Sequence, residues 1–388
     1  MKQMLSDIKV LDLTTTVAGA GAAAMLADYG ALVIKVEGPD GDPLRKMPPF
    51  MEGESLLHCW FNRGKQSVVL DLETERDAAV LGQMMNGADV VVEDFRPGYL
   101  AQKGLDYHTV SAANPGLIYC SVTPFGQTGP YRDKEGNDLM AQALSGVMEI
   151  TGEMDGPPEK HGTPVGDYAA SQSAYSAIVA ALCLRLKTGE GQAIDVSTMR
   201  NLIWLNSAVD RINVNVYTTR EGNHHPALSP FGLFYGNNGQ SVIICGLNAK
   251  IWSSLCHIIG HPEYIDDPRY STVSQRTANR FEVVEMLETW LKTFDNIQDA
   301  IKLLEEGNVP SCQVYGAREV FSDPHYTDPQ VGWLVQAPTP TSLQAKGKAT
   351  YLTHSTNAKF SKTPGKIGRA PDLGEHDSAV TAQLGLRE

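Results

Sequence analysis

The chain has 388 residues, 42% hydrophobic and 20% charged, which is enough apolar material for one large domain or two ordinary ones. A net charge of −13 at pH 7 argues against a nucleic-acid partner, which needs a basic footprint. No run of 18 apolar residues marks a membrane span, the N-terminal MKQMLSDIKV lacks the apolar core of a secretory signal, and the six cysteines form no C-x-x-C pair; a cytoplasmic protein without structural metal or disulfides is expected.

The first 125 or so residues alternate between strand and helix signals. Ile8–Leu13 reads as a buried strand, Ala22–Tyr29 as a helix closed by Gly30, and Ala31–Val36 and Ser67–Leu72 as strands. A helix is expected over 74–87, then strands over Ala88–Glu93 and Leu117–Val122. This βαβ order predicts a parallel sheet wound with helices. A helix over 139–149 and a long Ala-rich helix over Ala169–Leu186 follow, the latter stopped by the turn signal Lys187–Gln192. Ala193–Val196 gives a strand and 198–212 a helix.

The character changes near residue 215. The stretch 215–225 reads as a linker, 225–325 as a smaller α+β domain, and 325–330 as a second linker. Within the small domain, Val242–Cys245 is a strand, and Lys250–Ile259 and Arg280–Phe294 are helices. Pro230–Gln240 reads as a lid loop, with Gly232, Gly236 and Gly239 as hinges. The tail beyond 330 carries strand signals at Val331–Val335 and Thr350–Thr353.

One motif is a decoy. Gly19-Ala20-Gly21-Ala22-Ala23-Ala24 fits G-x-G-x-x-A between a strand and a helix, and Glu37 ends the next strand. Residues Thr14 to Ala18 separate the first glycine from its strand, and a run so rich in small residues matches by chance easily, so no nicotinamide cofactor is expected. Two uses remain open: a small-residue loop that lets a phosphate chain approach a helix N-terminus, or tight helix–sheet packing.

Several segments, in order along nearly the whole chain, carry a resemblance. They are Val10-Leu11-Asp12-Leu13-Thr14 with Ala18-Gly19; Val33 to Glu37 with Gly41-Asp42-Pro43-Leu44-Arg45; Asn62-Arg63-Gly64-Lys65 with Leu70-Asp71-Leu72; and Glu93-Asp94-Phe95-Arg96-Pro97-Gly98. Further on come Asp138 with Ala141-Gln142-Ala143 and Ser145-Gly146; Gly166-Asp167; Lys187-Thr188-Gly189; Asp267-Pro268-Arg269-Tyr270; and Leu373-Gly374-Glu375-His376. Together they resemble the class III CoA-transferases, whose relatives include the α-methylacyl-CoA racemases.

The resemblance implies an α/β fold. A Rossmann-like large domain would be built from both chain ends, 1–215 and 330–388, beside the smaller α+β domain, and two subunits would interlock as rings in a homodimer. It implies an acyl-CoA donor, a carboxylic acid acceptor, and no metal or membrane partner. Asp167 matches the family nucleophile, although from spacing alone it reads as the N-cap of the Ala-rich helix. Asp138 stands where formyl-CoA transferase carries a glutamate, and reads equally as the cap of helix 139–149. The CoA contacts implied are Val17, Ala18, Leu70, Asp71, Leu72, Asp94, Phe95 and Arg96, with Arg45 and Lys103 as phosphate partners. Asn137 replaces the histidine of the racemases, and an amide is no general base, which favours transfer over the alternative of acyl-CoA racemisation. Valine at position 17, where formyl-CoA transferase has glutamine, implies a less polar acyl group. Gly38 and Gln102 replace arginines of that enzyme.

Overall fold

Six short strands, most of them rich in Val and Ile, make a parallel sheet: β1 (Lys9–Asp12), β2 (Leu32–Glu37), β3 (Gln66–Val69), β4 (Val90–Glu93), β5 (Ile118–Thr123) and β6 (Gln192–Ser197). Their order is β3-β2-β1-β4-β5-β6, with Val10 opposite both Val33 and Val90 and Ser121 opposite both Glu93 and Asp195. β4 and β5 are buried at every residue, as strands covered on both faces must be.

Helices α1 (Val17–Asp28) and α4 (Val165–Thr188) cover one face; Ala22, Leu26, Ala170, Ala174 and Ile178 pack there against Val10, Val33, Val90 and Ile118. On the other face α2 (Glu75–Asn86) sets Leu81, Met84 and Met85 against Leu11, Ile34 and Val91. By length and composition α4 would be enough to cross a bilayer, and its Ala170, Ala174, Ile178 and Leu182 lie in this core. Two shorter helices, α3 (Asp138–Leu144) and α5 (Thr198–Leu205), flank the start of α4.

The computed structural model describes residues 2–217, 219–246 and 248–383. The chain divides into two compact units. One comprises Met1–Val147, Lys160–Asp210 and Pro324–Glu388; the other comprises Met148–Glu159 and Arg211–Asp323. In the first unit, the late part of the chain is bonded to the early part. Lys366 N–H donates to Asp28 O at 2.8 Å, Gly64 N–H to Arg369 O at 2.8 Å, and His376 N–H to Ser67 O at 3.0 Å. Val69 N–H donates to Asp377 Oδ1 at 2.8 Å. A two-stranded antiparallel ribbon, Leu334–Pro338 with Thr350–His354, belongs to the same unit.

In the second unit β7 (Phe231–Tyr235), β8 (Ser241–Cys245) and β9 (Ser311–Gln313) form an antiparallel sheet in the order β9-β8-β7. Phe234, Val242 and Ile244 pack there with Trp252, Leu287, Leu291 and Ile301. Pro230–Gln240, expected as a lid loop, is for the most part a strand and its turn. Phe231–Tyr235 is a strand paired with β8, and only 236–240 turn the chain. Gly232 lies inside that strand, opposite Ile244, and is no hinge.

Candidate active site

The strand order reverses between β1 and β4, and in open α/β sheets ligands sit at that crevice beyond the carboxyl ends of the strands. The loop leaving β1 is fixed from both sides. Asp12 Oδ1 accepts Thr14 N–H at 3.0 Å and Thr14 Oγ1–H at 2.6 Å. Asp94, just past β4, accepts Thr15 N–H at 2.8 Å and Thr16 N–H at 2.7 Å. Beneath them Lys65 Nζ meets Asp12 Oδ2 at 2.6 Å, and Lys35 Nζ meets Asp42 Oδ2 at 3.0 Å; all four side chains are buried. Burial pushes the Lys65 ammonium down to about 8, against the pull of Asp12.

The helix after this loop begins at Val17, so Gly19 and Gly21 lie inside α1 and line no phosphate loop. A Cβ on Gly21 would lie 2.6 Å from Ser171 Oγ, and one on Gly19 2.4 Å from Thr14 Cγ2, so the glycines serve close packing on α4 and the loop. Ser171 Oγ–H donates to Ala18 O at 2.7 Å and lies 3.2 Å from Val17 O. Ser171 follows Asp167 by one helical turn, so the start of α1 and Asp167 share a corner of the fold.

Asp167 is not the cap of α4. The helix starts two residues earlier, at Val165, and Asp167 stands in its first turn. The capping is done by Asp138, whose Oδ1 accepts Gly166 N–H at 2.8 Å and Asp167 N–H at 3.1 Å. Nor does Asp138 cap its own helix: Asn137 Oδ1 takes Met140 N–H at 3.1 Å there. The two carboxyl groups are thereby brought together beside a third residue, Thr198, whose hydroxyl donates to Asp167 Oδ1 at 3.4 Å from the start of α5. Burial first, and the Asp138 charge second, push the Asp167 carboxyl up to about 7; Thr198 works the other way and the more distant Asp94 adds to the rise. Burial and a second acid nearby are the two environments by which proteins raise the affinity of a carboxyl for its proton.

The remaining candidates divide into three sets. Leu70, Asp71, Leu72 and Phe95 line one cavity of about 200 Å³, floored by Thr14, Thr15 and Lys35. Phe95 is oriented by its N–H to Glu93 Oε2 at 2.8 Å, and stacks on Tyr99 with ring centroids 4.8 Å apart. At the rim, Lys103 lies 3.3 Å from Glu73 Oε1 and 4.9 Å from the Tyr99 ring centre, while Arg96 is exposed. Arg45 is drawn elsewhere: its Nε and Nη2 both donate to Glu37 at 2.7 Å, and it lines no part of this cavity. Burial opposes ionisation of Glu37, yet the Arg45 guanidinium holds it down to about 2. An arginine committed this way has little left for a phosphate.

Two features escaped the sequence reading. One is Thr198, an unremarkable residue after a strand, which no motif marked. The other is a cavity of about 640 Å³ beside the first turns of α4, lined by Trp60, Phe61, Arg63, Tyr168, Gln172 and His354 among others. Among the described residues no cluster of His, Cys, Asp or Glu is arranged to hold a metal ion.

The sequence profile of CoA-transferase family III matches residues 5–377. A succinate–glutarate CoA-transferase of Agrobacterium fabrum is 38% identical over 99% of this chain and 96% of its own. A succinyl-CoA:mesaconate CoA-transferase of Haloarcula hispanica is 36% identical over 98% of this chain and 96% of its own. The crystal structure of a CaiB/BaiF family protein from Brucella suis superposes with a TM-score of 0.87, at 33% identity, over 99% of this chain and 100% of that one.

Proposed function

The chain belongs to CoA-transferase family III, and from that membership we propose that Asp167 carries CoA between two carboxylic acids as a covalent aspartyl intermediate. Transfer of CoA to a carboxylic acid is the activity its relatives are named for, and this chain is such an enzyme.

An Asp167 oxygen attacks the thioester carbonyl and the CoA thiolate leaves, giving a mixed anhydride. The thiolate then attacks the aspartyl carbonyl of that anhydride, the donor acid departs as carboxylate, and an aspartyl thioester of CoA remains. The acceptor carboxylate attacks this thioester and releases the thiolate. Attack of the thiolate on the acceptor's acyl carbon frees Asp167 and forms the new acyl-CoA. Every bond broken is replaced by one of similar energy, so the route calls on neither metal nor nicotinamide, and one hard step becomes several easier ones.

The observation that carries the proposal is the part-buried Asp167 carboxyl, held near neutrality between Asp138 and Thr198 at the switch-point corner. Raised basicity makes a carboxylate a better nucleophile once ionised, and positioned donors nearby suit an anionic intermediate. The CoA moiety is assigned to the cavity of Leu70, Asp71, Leu72 and Phe95, with Lys103 and Arg96 at its rim for phosphate oxygens. Succinyl-CoA as donor and a dicarboxylic acid as acceptor are proposed from the two named relatives. A homodimer in the cytoplasm completes the proposal; exposed Leu186, Ile203, Trp204 and Leu205 on α4 and α5 support a covered face, and the absence of disulfides among the described cysteines suits a reducing compartment.

Intact-protein mass after mixing with succinyl-CoA tests the route. The expected result is a CoA-sized adduct on the native chain, mapped to Asp167, discharged by glutarate or mesaconate, and absent from Asp167→Ala. Turnover by Asp167→Ala at the native rate would sink it.

A further inference from the structure

Gln142 lies on α3, one turn after Asp138, and its side chain is almost fully buried at 1% exposure. Its Nε2–H donates to Asp138 Oδ2 at 2.5 Å, and its Oε1 accepts His161 N–H at 2.9 Å. The other Asp138 oxygen holds the Gly166 and Asp167 N–H groups. One amide therefore ties the loop at His161 to the carboxylate that fixes the backbone of Asp167. The partners also set which way the amide points: turned over, it would face a donor with a donor and an acceptor with an acceptor.

There is no slack around this contact. A Cβ on Gly166 would stand 2.9 Å from Asp138 Oδ1 and 2.7 Å from both Thr198 Cγ2 and Leu202 Cδ1. A carboxylate that swings away from Gln142 gives up its bonds to Gly166 N–H and Asp167 N–H, the two that hold the first turn of α4 beside it. Nucleophilic attack tolerates little misplacement, since about 1 Å can cost on the order of 100-fold in rate.

We propose that Gln142 is a positioning residue for CoA transfer, holding the Asp138 carboxylate against the first turn of α4 so that Asp167 is aimed at the reacting carbonyl. The proposal rests on the reading of Asp167 as nucleophile. The groups that face this contact are Asp138 and Gln142 from α3, Gly166 and Asp167 from α4, Thr198 from α5, and the backbone of His161.

Three variants test it: Gln142→Met, Gln142→Glu and Asp167→Ala, each assayed with succinyl-CoA and glutarate from pH 6 to 9. Gln142→Met removes the donor at similar volume; kcat is expected to fall by roughly 10- to 100-fold while KM for succinyl-CoA stays within about twofold. Gln142→Glu keeps the acceptor for His161 and, when protonated, still donates to Asp138. Its kcat is expected to fall on the alkaline side as that proton is lost, giving a bell in place of a plateau. A purely structural glutamine would move the thermal midpoint and leave the shape of the pH profile alone. Native kcat and profile in both Gln142 variants, with Asp167→Ala inactive, would overturn the positioning role and spare the nucleophile. So would a kcat loss that follows only the loss of folded protein, read by circular dichroism. Full activity in Asp167→Ala would overturn the nucleophile, and the positioning role with it.

Discussion

Replacing Asp167 with asparagine should make the protein more stable at pH 8 while abolishing turnover. The carboxyl ionises at about 7 in the folded protein against 3.8 ordinarily, because burial and the Asp138 charge oppose its negative form. At about 1.4 kcal/mol per pH unit, that difference is roughly 4 kcal/mol of penalty on the ionised folded state. Asp167 is only part-buried, and the positive end of α4 favours a negative charge, so about 2 kcal/mol is the expected net gain. The sign follows from linkage. Between 3.8 and 7 the folded chain keeps a proton that the unfolded chain has released; the stabilisation this represents is full below 3.8 and lost as pH rises through 7. Asparagine does not titrate, so its advantage is full at pH 8, falls to less than half by pH 5, and vanishes below about 4. Thermal melts at fixed protein concentration should show a midpoint raised by about 2–3 °C at pH 8. No gain at pH 8, or an equal gain at pH 5 and pH 8, would refute the account of a destabilised, functionally poised carboxylate.

The same carboxyl sets the acidic limb of catalysis: kcat/KM should fall about tenfold per pH unit below about 7 and level off above it, as a pH-rate profile would show. Thr198→Val removes the hydroxyl that favours the ionised form, so this limb should move to higher pH by less than about one unit, with rates converging on the native value at the alkaline end. Gly166→Ala places a methyl within 3 Å of Asp138, Thr198 and Leu202, and should cost on the order of 100-fold in kcat, with the thermal midpoint lowered as well. Asp28→Asn should destabilise by about 3–5 kcal/mol in urea melts, because Arg63, bonded to Asp28 at 2.6 and 2.9 Å in the core, would keep a buried charge without its counter-ion.

The parallel sheet was legible in the sequence because its strands are short apolar runs separated by helical stretches. Val90–Val92 and Ile118–Val122 announce themselves as buried on both faces. Ends were harder. Helix α1 begins at Val17 and not at Ala22, since alanine and glycine carry no amphipathic signal to mark a boundary. α4 begins at Val165, which moved Asp167 from cap to first turn. Asp138 capping a helix 28 residues away is a tertiary contact that no local pattern encodes, whereas Asn137, its neighbour, makes the local cap that spacing suggested for Asp138. The family resemblance brought Asp167 and Asp138 forward, and the geometry joined them. Arg45 looked like a phosphate ligand because a sequence shows a charge without its partner, and Glu37 is that partner.

The bonds between the late and early parts of the chain have a bearing on how the protein is made. Edge strand β3 has its Ser67 and Val69 positions bonded to His376 and Asp377, which leave the ribosome some 300 residues after it. Until they arrive, a row of backbone groups on a Val-containing edge stands open, and Asp28 and Gly64 lack their own late partners. The nascent chain therefore carries an unsealed sheet while some 300 further residues are added, a state that invites pairing with neighbours on the same message or capture by chaperones. Loss of residues 366–377 would leave that edge open in the folded molecule, so its cost would appear first as aggregation during expression rather than as lower activity of the folded protein.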